Sequence, residues 1–250
     1  MITLQRVAKA AGKHLTRAAL AVRKALGARA TRACPACGTA VVGFFRYGDN
    51  AEWGCPSCGA SPRERLMNHL IAGKVLTVPQ QGAILHMAPN EGSLVRRFST
   101  AADYIPADLD PARYTVPNMR QVDLMALADA DRYDLFYASH VMEHVPDDHH
   151  VLRNIHRALK PGGEAWLIVP LWSKPTEDGS FAIPPRERER RFGQWDHVRQ
   201  YGPDFADRIR AAGFDLEEID ASAIDPDTRH YFALDDRLFR ARKPVGTAAR

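Results

Sequence analysis

The segment spanning residues 134–170, DLFYASHVMEHVPDDHHVLRNIHRALKPGGEAWLIVP, constrains the fold more than any other part of the chain. An apolar run at 135–138 reads as a strand, a helical pattern follows it and stops at Lys160-Pro161-Gly162-Gly163, and 165–169 reads as a second strand. That is a β-α-β crossover, the unit of a parallel sheet with helices on its faces. His140, Glu143 and His144 fall just after the first of these strands. In an open parallel sheet the ligand crevice lies outside the carboxyl ends of the strands. Strand signals near 83–87, 103–107, 120–122, 214–219 and 238–242 alternate with helical patterns. They extend the unit to an α/β, doubly wound sheet of seven strands over 80–250, its last two strands placed as a hairpin.

All four cysteines stand outside that region, in Cys34-Pro35-Ala36-Cys37-Gly38 and Cys55-Pro56-Ser57-Cys58-Gly59. Two such knuckles can deliver four thiolates to one tetrahedral zinc, with 41–46 and 51–53 pairing as a hairpin around Tyr47-Gly48-Asp49-Asn50. With Cys34, Cys37, Cys55 and Cys58 all bound, the metal has no open position and is structural. Disulfides are the alternative, disfavoured in a chain that keeps its thiols reduced. No apolar run reaches the 18 residues that span a bilayer and no secretory h-region is present, so a cytoplasmic enzyme is expected. The domains are placed at 1–29, a basic arm; 30–62, the zinc ribbon; 63–79, a connecting helix; and 80–250, with an insertion at 171–202.

The formal charge of +4 hides an asymmetry: residues 1–33 hold eight Lys/Arg and no Asp/Glu, leaving 26 basic against 30 acidic residues in the remainder. Leu4, Val7, Ala11, Leu15, Ala18, Val22 and Leu26 recur at helical spacing, with Arg6, Lys9, Lys13, Arg17 and Lys24 opposite. Two readings stand: a basic helix drawn weakly to anionic lipid, RNA or an acidic partner, or a helix packing its Ala-rich stripe on the body with a solvated basic face. Arg63 and Arg65 at the start of the connecting helix are expected to be solvated, as is the run Arg186-Glu187-Arg188-Glu189-Arg190-Arg191.

"SHVMEHVPD" followed by "LKPGG" resembles the fourth and fifth strand region of the class I S-adenosylmethionine (SAM) dependent methyltransferases. "LHMAP" with a following acid, the leading zinc ribbon and Phe192-Gly193-Gln194-Trp195-Asp196-His197-Val198-Arg199-Gln200-Tyr201-Gly202 resemble a bacterial subgroup of that family with an FGQxDHVRxYG signature. The resemblance implies a Rossmann-like sheet, SAM as cofactor and methyl transfer as the reaction. Its glycine-rich loop would fall on His86, Ala88, Asn90 and Gly92, where only Gly92 keeps the expected glycine; Ala is small and Asn tolerates left-handed backbone. By the same resemblance Asp108 would accept from the ribose hydroxyls, Asp123 would read the adenine amino group and Leu124 would touch the ring. His140 would hydrogen-bond backbone and shape the cofactor pocket, which is also the alternative reading for His144.

SAM is an activated electrophile, so the protein has to place the acceptor and accept its proton. His144 or His197 is expected as the base. The long connection 171–202 is expected to cover the acceptor, with Glu143, Asp196, Arg199 and Tyr201 as substrate contacts: Arg199 clamping an anion, Asp196 orienting His197. The alternative for these residues is a latch, with Arg199 paired to an internal acid. The acceptor is expected to be a hydroxyl or amine of a small polar metabolite or sugar. RNA, gripped by ribbon and arm, is the first alternative; a SAM-binding scaffold without turnover is the second.

Overall fold

A computed structural model describes residues 4–245, with side chains from residue 11 onward, as two compact units. The described residues of the first unit are 4–77, 91–94 and 220–236; those of the second are 78–90, 95–219 and 237–245.

In the first unit, α1 (Leu4–Ala25) precedes two short ladders. β1 (Arg32–Ala33) pairs antiparallel with β2 (Ala40–Val41), and β3 (Phe45–Tyr47) with β4 (Asn50–Gly54). The predicted hairpin therefore forms, turning at Gly48, whose φ of +60° suits glycine. α2 (Pro62–Ala72) is capped by Ser61, whose hydroxyl accepts from the Glu64 amide.

Two expectations are corrected here. Arg65 is fully buried rather than solvated, because its fork of donors reaches the carbonyl oxygens of Glu52, Trp53, Ala60, Phe232 and Ala233 while its face lies 4.2 Å from the Phe44 ring centroid. Those contacts recruit the late helix Pro226–Phe232 and its exit into the same unit as the ribbon. Arg63 pairs with Glu91 at 3.0 Å. α1 also turns the other way round from the packing read in its pattern. Lys13 stacks over Phe45 and Trp53, Arg17 donates to the Pro56 carbonyl, and the Thr16 hydroxyl accepts from the Arg46 amide. Leu15 and Leu26 are left 72% and 82% exposed. The side chains of Leu4, Arg6, Val7 and Lys9 lie outside the described residues.

The second unit is built on β5 (Ala83–Met87), α3 (Gly92–Phe98, its first turn counted with the first unit), β6 (Asp103–Asp108), β7 (Arg120–Gln121), β8 (Tyr133–Ser139), α4 (Asp148–Ala158) and β9 (Leu159–Ile168). Then come β10 (Glu177–Asp178), α5 (Pro185–Phe192), β11 (Arg199–Gln200), α6 (Phe205–Ala211), β12 (Asp215–Asp220) and β13 (Arg237–Arg242). Among the described residues, seven strands form one sheet in the order β12-β13-β9-β8-β5-β6-β7. The central strands run parallel, and β13 runs antiparallel to β9 with Phe239 opposite Leu167. Leu85, Phe136, Leu167 and Phe239 from the sheet pack with Val151, Leu152 and Ile155 of α4 and Phe205 and Ile209 of α6.

The Lys160-Pro161-Gly162-Gly163 stop does end α4, but the chain is already in β9, which bulges there against β8. A Cβ on Gly163 would meet the Lys160 and Tyr133 carbonyl oxygens at 2.9 and 3.0 Å, so this crossing requires glycine. The strand order reverses between β5 and β8, which places the carboxyl ends of β5, β6, β7 and β8 around one crevice. Among the described residues no helix is long and apolar enough to cross a membrane.

Candidate functional site

Each carboxyl end along this edge carries a distinctive residue. β5 runs out into Ala88, which holds φ +48°, the left-handed conformation that glycine would adopt without strain. The Ala88 amide donates to the Ala107 carbonyl, and the Asn90 amide turns back to the Ala88 carbonyl at 2.7 Å. Gly92 opens α3. At the end of β6 the half-buried Asp108 accepts from the Asp110 amide at 2.8 Å and from the Tyr114 hydroxyl at 2.7 Å. A carboxylate has about four lone-pair sites, so capacity remains for a diol. Asp110 precedes Pro111 in a turn.

Beyond β7, Asp123 accepts from the Met125 amide and starts a single 3-10 turn. Asn154 and His150 of α4 bond the Leu124 and Met125 carbonyls and so fix that turn from below. Leu124 belongs to the core, leaving the partly exposed Met125 as the apolar side chain at the rim. His86 departs from the expected cofactor contact. It is buried among Phe98, Tyr104 and Tyr137, and burial pushes its imidazole down to about 3. Its Nδ1 bonds the Tyr104 hydroxyl at 3.0 Å.

The end of β8 is the most charged part of the edge. His140 has φ +56° and its amide donates to the Ile168 carbonyl, after which the turn Met142–His144 presents Glu143 and His144. Glu143 is 0% exposed and neither of its carboxylate oxygens accepts a hydrogen bond. Burial works against its charge, yet the neighbouring His140 and His144 imidazoles hold it below the ordinary glutamate value. The Val198 amide donates to the Glu143 carbonyl, so the late signature is threaded against this turn. That contact sets His197 beside it: its Nε2 lies 4.0 Å from Glu143 Oε1, and its ring stands edge-on to His144 with centroids 4.7 Å apart. Burial pushes the His197 imidazole below its ordinary value, against the opposing pull of the Glu143 carboxylate.

Asp196 does not orient His197. Its carbonyl accepts from His144 Nδ1 at 3.2 Å, while His197 Nδ1 donates to the Phe192 carbonyl at 2.9 Å. Arg199 and Tyr201 follow the latch alternative, with both side chains engaged internally. Arg199, 3% exposed, donates to the Met142, Val145 and Pro146 carbonyls and pairs with Asp178 at 3.0 Å and Asp148 at 3.6 Å. The Tyr201 hydroxyl donates to buried Asp148 at 2.9 Å. These contacts, with the β10–β11 ladder, latch residues 171–202 over the end of β8. Arg188 in the alternating run is likewise buried rather than solvated, its donors on the Phe181, Ile183 and Trp195 carbonyls. Asp148 and Tyr114 were not singled out by the sequence; an acid at a helix start reads as an ordinary first-turn residue.

In the first unit the four Sγ atoms lie within 4.8 Å of one another, with Cys34–Cys58 at 3.8 Å and Cys37–Cys55 at 3.9 Å. Zinc–sulfur bonds of about 2.3 Å in a tetrahedron set sulfurs about 3.8 Å apart. The two knuckles repeat one another: Gly38 donates to the Cys34 carbonyl and Gly59 to that of Cys55, each glycine at positive φ. The described cysteines form no disulfide, and the Cys55 thiol is pushed down to about 2 by hydrogen bonds from Cys34 and Cys58.

A family model described as a methyltransferase domain matches residues 51–219. Among curated proteins, a ubiquinone biosynthesis O-methyltransferase of Acinetobacter baylyi is 28% identical over 181 residues, 65% of this chain and 72% of that one. A highly reducing polyketide synthase of Cordyceps militaris is 27% identical over 183 residues, 58% of this chain but only 7% of its own length. Among solved structures, the [4+2]-cyclase SpnF aligns over 97% of both chains with a TM-score of 0.54 at 16% identity. A chain from the complex of the Haloferax volcanii Trm112 methyltransferase activator with a methyltransferase aligns over 75% of this chain and 95% of its own, with a TM-score of 0.50 at 17% identity. Likeness at such identities shows the fold alone.

Proposed function

We propose that this chain, which belongs to the methyltransferase domain family and is a SAM-dependent methyltransferase, methylates a hydroxyl of a small polar acceptor held at the end of β8. The residues along the strand ends fit the cofactor. Asp108 keeps acceptor capacity for the ribose hydroxyls, Asp123 would accept from an exocyclic amine beside the Met125 amide it already binds, and the Ala88–Asn90 turn brings backbone close to the crevice, with Gly92 next along the chain. When bound, SAM supplies a methyl group on a sulfonium that any well-placed nucleophile can take.

The carrying observation is the group made by Glu143, His144 and His197: a fully buried carboxylate and two imidazoles, with one ligand atom of each within 4.8 Å of the others. An oxygen acceptor must lose its proton as it becomes methylated, and such a group receives it. The named activity of the Acinetobacter relative, O-methylation, supports oxygen over nitrogen. In this reading Asp196 and His140 line the acceptor and cofactor sides of the group, and Arg199 and Tyr201 hold the cover in place. Zinc on the four cysteines would be a folding element, in a protein of the cytoplasm.

The test is transfer of label from methyl-labelled SAM by the zinc-loaded protein to a panel of small hydroxylated acceptors and to total cellular RNA. Label in acid-soluble products supports the reading. Nuclease-sensitive label would transfer it to RNA. Tight SAM binding with no label in either pool would leave a SAM-binding scaffold.

A further inference from the structure

We propose that Glu143, His144 and His197 bind a divalent transition-metal ion, at a site separate from the four cysteines. A backbone carbonyl can only accept, so each histidine's tautomer is set by its partner. His197 Nδ1 carries the hydrogen given to Phe192, and His144 Nδ1 the one given to Asp196. In its neutral form each ring therefore has a lone pair on Nε2. Glu143 is acceptor-only when ionised, is fully buried, and receives no hydrogen bond; its Oε1 lies 3.3 Å from His140 Nδ1 without hydrogen-bond geometry. A buried carboxylate thus faces two imidazole acceptors with only the His140 imidazole, 3.3 Å from Oε1, to offset its charge, an arrangement that a cation among the three would stabilise.

The dimensions suit one. One ligand atom from each residue lies within 4.8 Å of the others. Metal–nitrogen and metal–oxygen bonds of about 2.0–2.2 Å require separations of about 3–3.5 Å, so side-chain movements of under about 1 Å close the site. Histidine ligands ordinarily give their other ring hydrogen to a carbonyl or carboxylate, which fixes the ring and raises its basicity, and both rings here are held in that way. Two imidazoles and one carboxylate suit Zn²⁺, Fe²⁺ or Mn²⁺ and leave positions open, unlike the closed set of four thiolates. The open positions would take the acceptor oxygen and lower the pKa of its hydroxyl; with the ion bound, the three residues would act through it instead of receiving the proton themselves, and the proton would leave to water. That catalytic use rests on the methyl-transfer reading; the binding itself does not.

The experiment loads the full chain with one equivalent of Zn²⁺ to fill the thiolates, then titrates Mn²⁺ by electron paramagnetic resonance and, in parallel, SAM by calorimetry. The proposal expects one further equivalent with a micromolar or tighter Kd, weakened tenfold or more in Glu143→Gln and in His197→Asn. Nitrogen hyperfine coupling on the bound Mn²⁺ reads histidine ligation in the wild type, so the test stands even where a variant fails to fold. No second equivalent at millimolar Mn²⁺ overturns the site, as does binding that both folded variants retain. Metal binding without SAM binding would keep the site and remove the methyl-transfer reading; SAM binding without metal would do the reverse.

Discussion

Ala88 carries a side chain where the backbone, at φ +48°, calls for none. The left-handed conformation costs an L-residue roughly 1–2 kcal/mol, while added freedom of a glycine in the unfolded chain costs about 0.4–1 kcal/mol. Ala88→Gly should therefore raise stability by a net ~1 kcal/mol, read as a higher urea midpoint at unchanged slope, with SAM affinity retained. His86 makes a second prediction. Its imidazole titrates near 3 in the fold against about 6.5 unfolded, so the unfolded chain binds the extra proton between those values. The stability it contributes is complete above pH 6.5 and falls with acidification, by up to ~1.4 kcal/mol per pH unit, down to about pH 3. His86→Leu should flatten the pH dependence of the urea midpoint across that window; an unchanged slope would contradict the assignment. The left-handed turn could be anticipated from the loop's place after a strand. Burial of His86 could not, because a strand buried on both faces gives no alternation that distinguishes a core histidine from a ligand.

At the scale of elements, three arginines do work that their neighbourhood in sequence conceals. Arg65 and Arg199 spread their donors over backbone carbonyls of loops distant in sequence, and Arg188 over those on either side of its own helix. A guanidinium is the side chain that can satisfy several such oxygens at once. Arg65→Met leaves buried carbonyls of the ribbon and of the 232–233 exit without donors, and should cost about 3 kcal/mol or more in a urea titration. A loss below ~1 kcal/mol would mean water replaces the guanidinium. The seven strands were legible because apolar runs separated by helical periods and glycine stops have one parallel-sheet solution. The orientation of α1 was not: its periodicity marks two faces, but only the Phe45 and Trp53 rings across the turn decide that Lys13 and Arg17 face inward.

For the whole molecule, the two units carry separate predictions. The cysteine spacing predicted the convergence of four sulfurs, and the described geometry matches a zinc tetrahedron. Chelation should unfold the first unit, with loss of hydrogen-exchange protection in 32–60, while β5, β8 and β9 stay protected. Equal loss in both units would contradict that division. The central claim concerns the second unit, and calorimetric titration of SAM and S-adenosylhomocysteine into zinc-loaded wild type and Asp108→Ala tests it most directly. The account predicts micromolar binding of both ligands, weakened tenfold or more by the substitution, a loss of about 1.4 kcal/mol. Absence of binding to the wild type, or affinity untouched by Asp108→Ala, would contradict the placement of the cofactor at the carboxyl ends of β5 and β6.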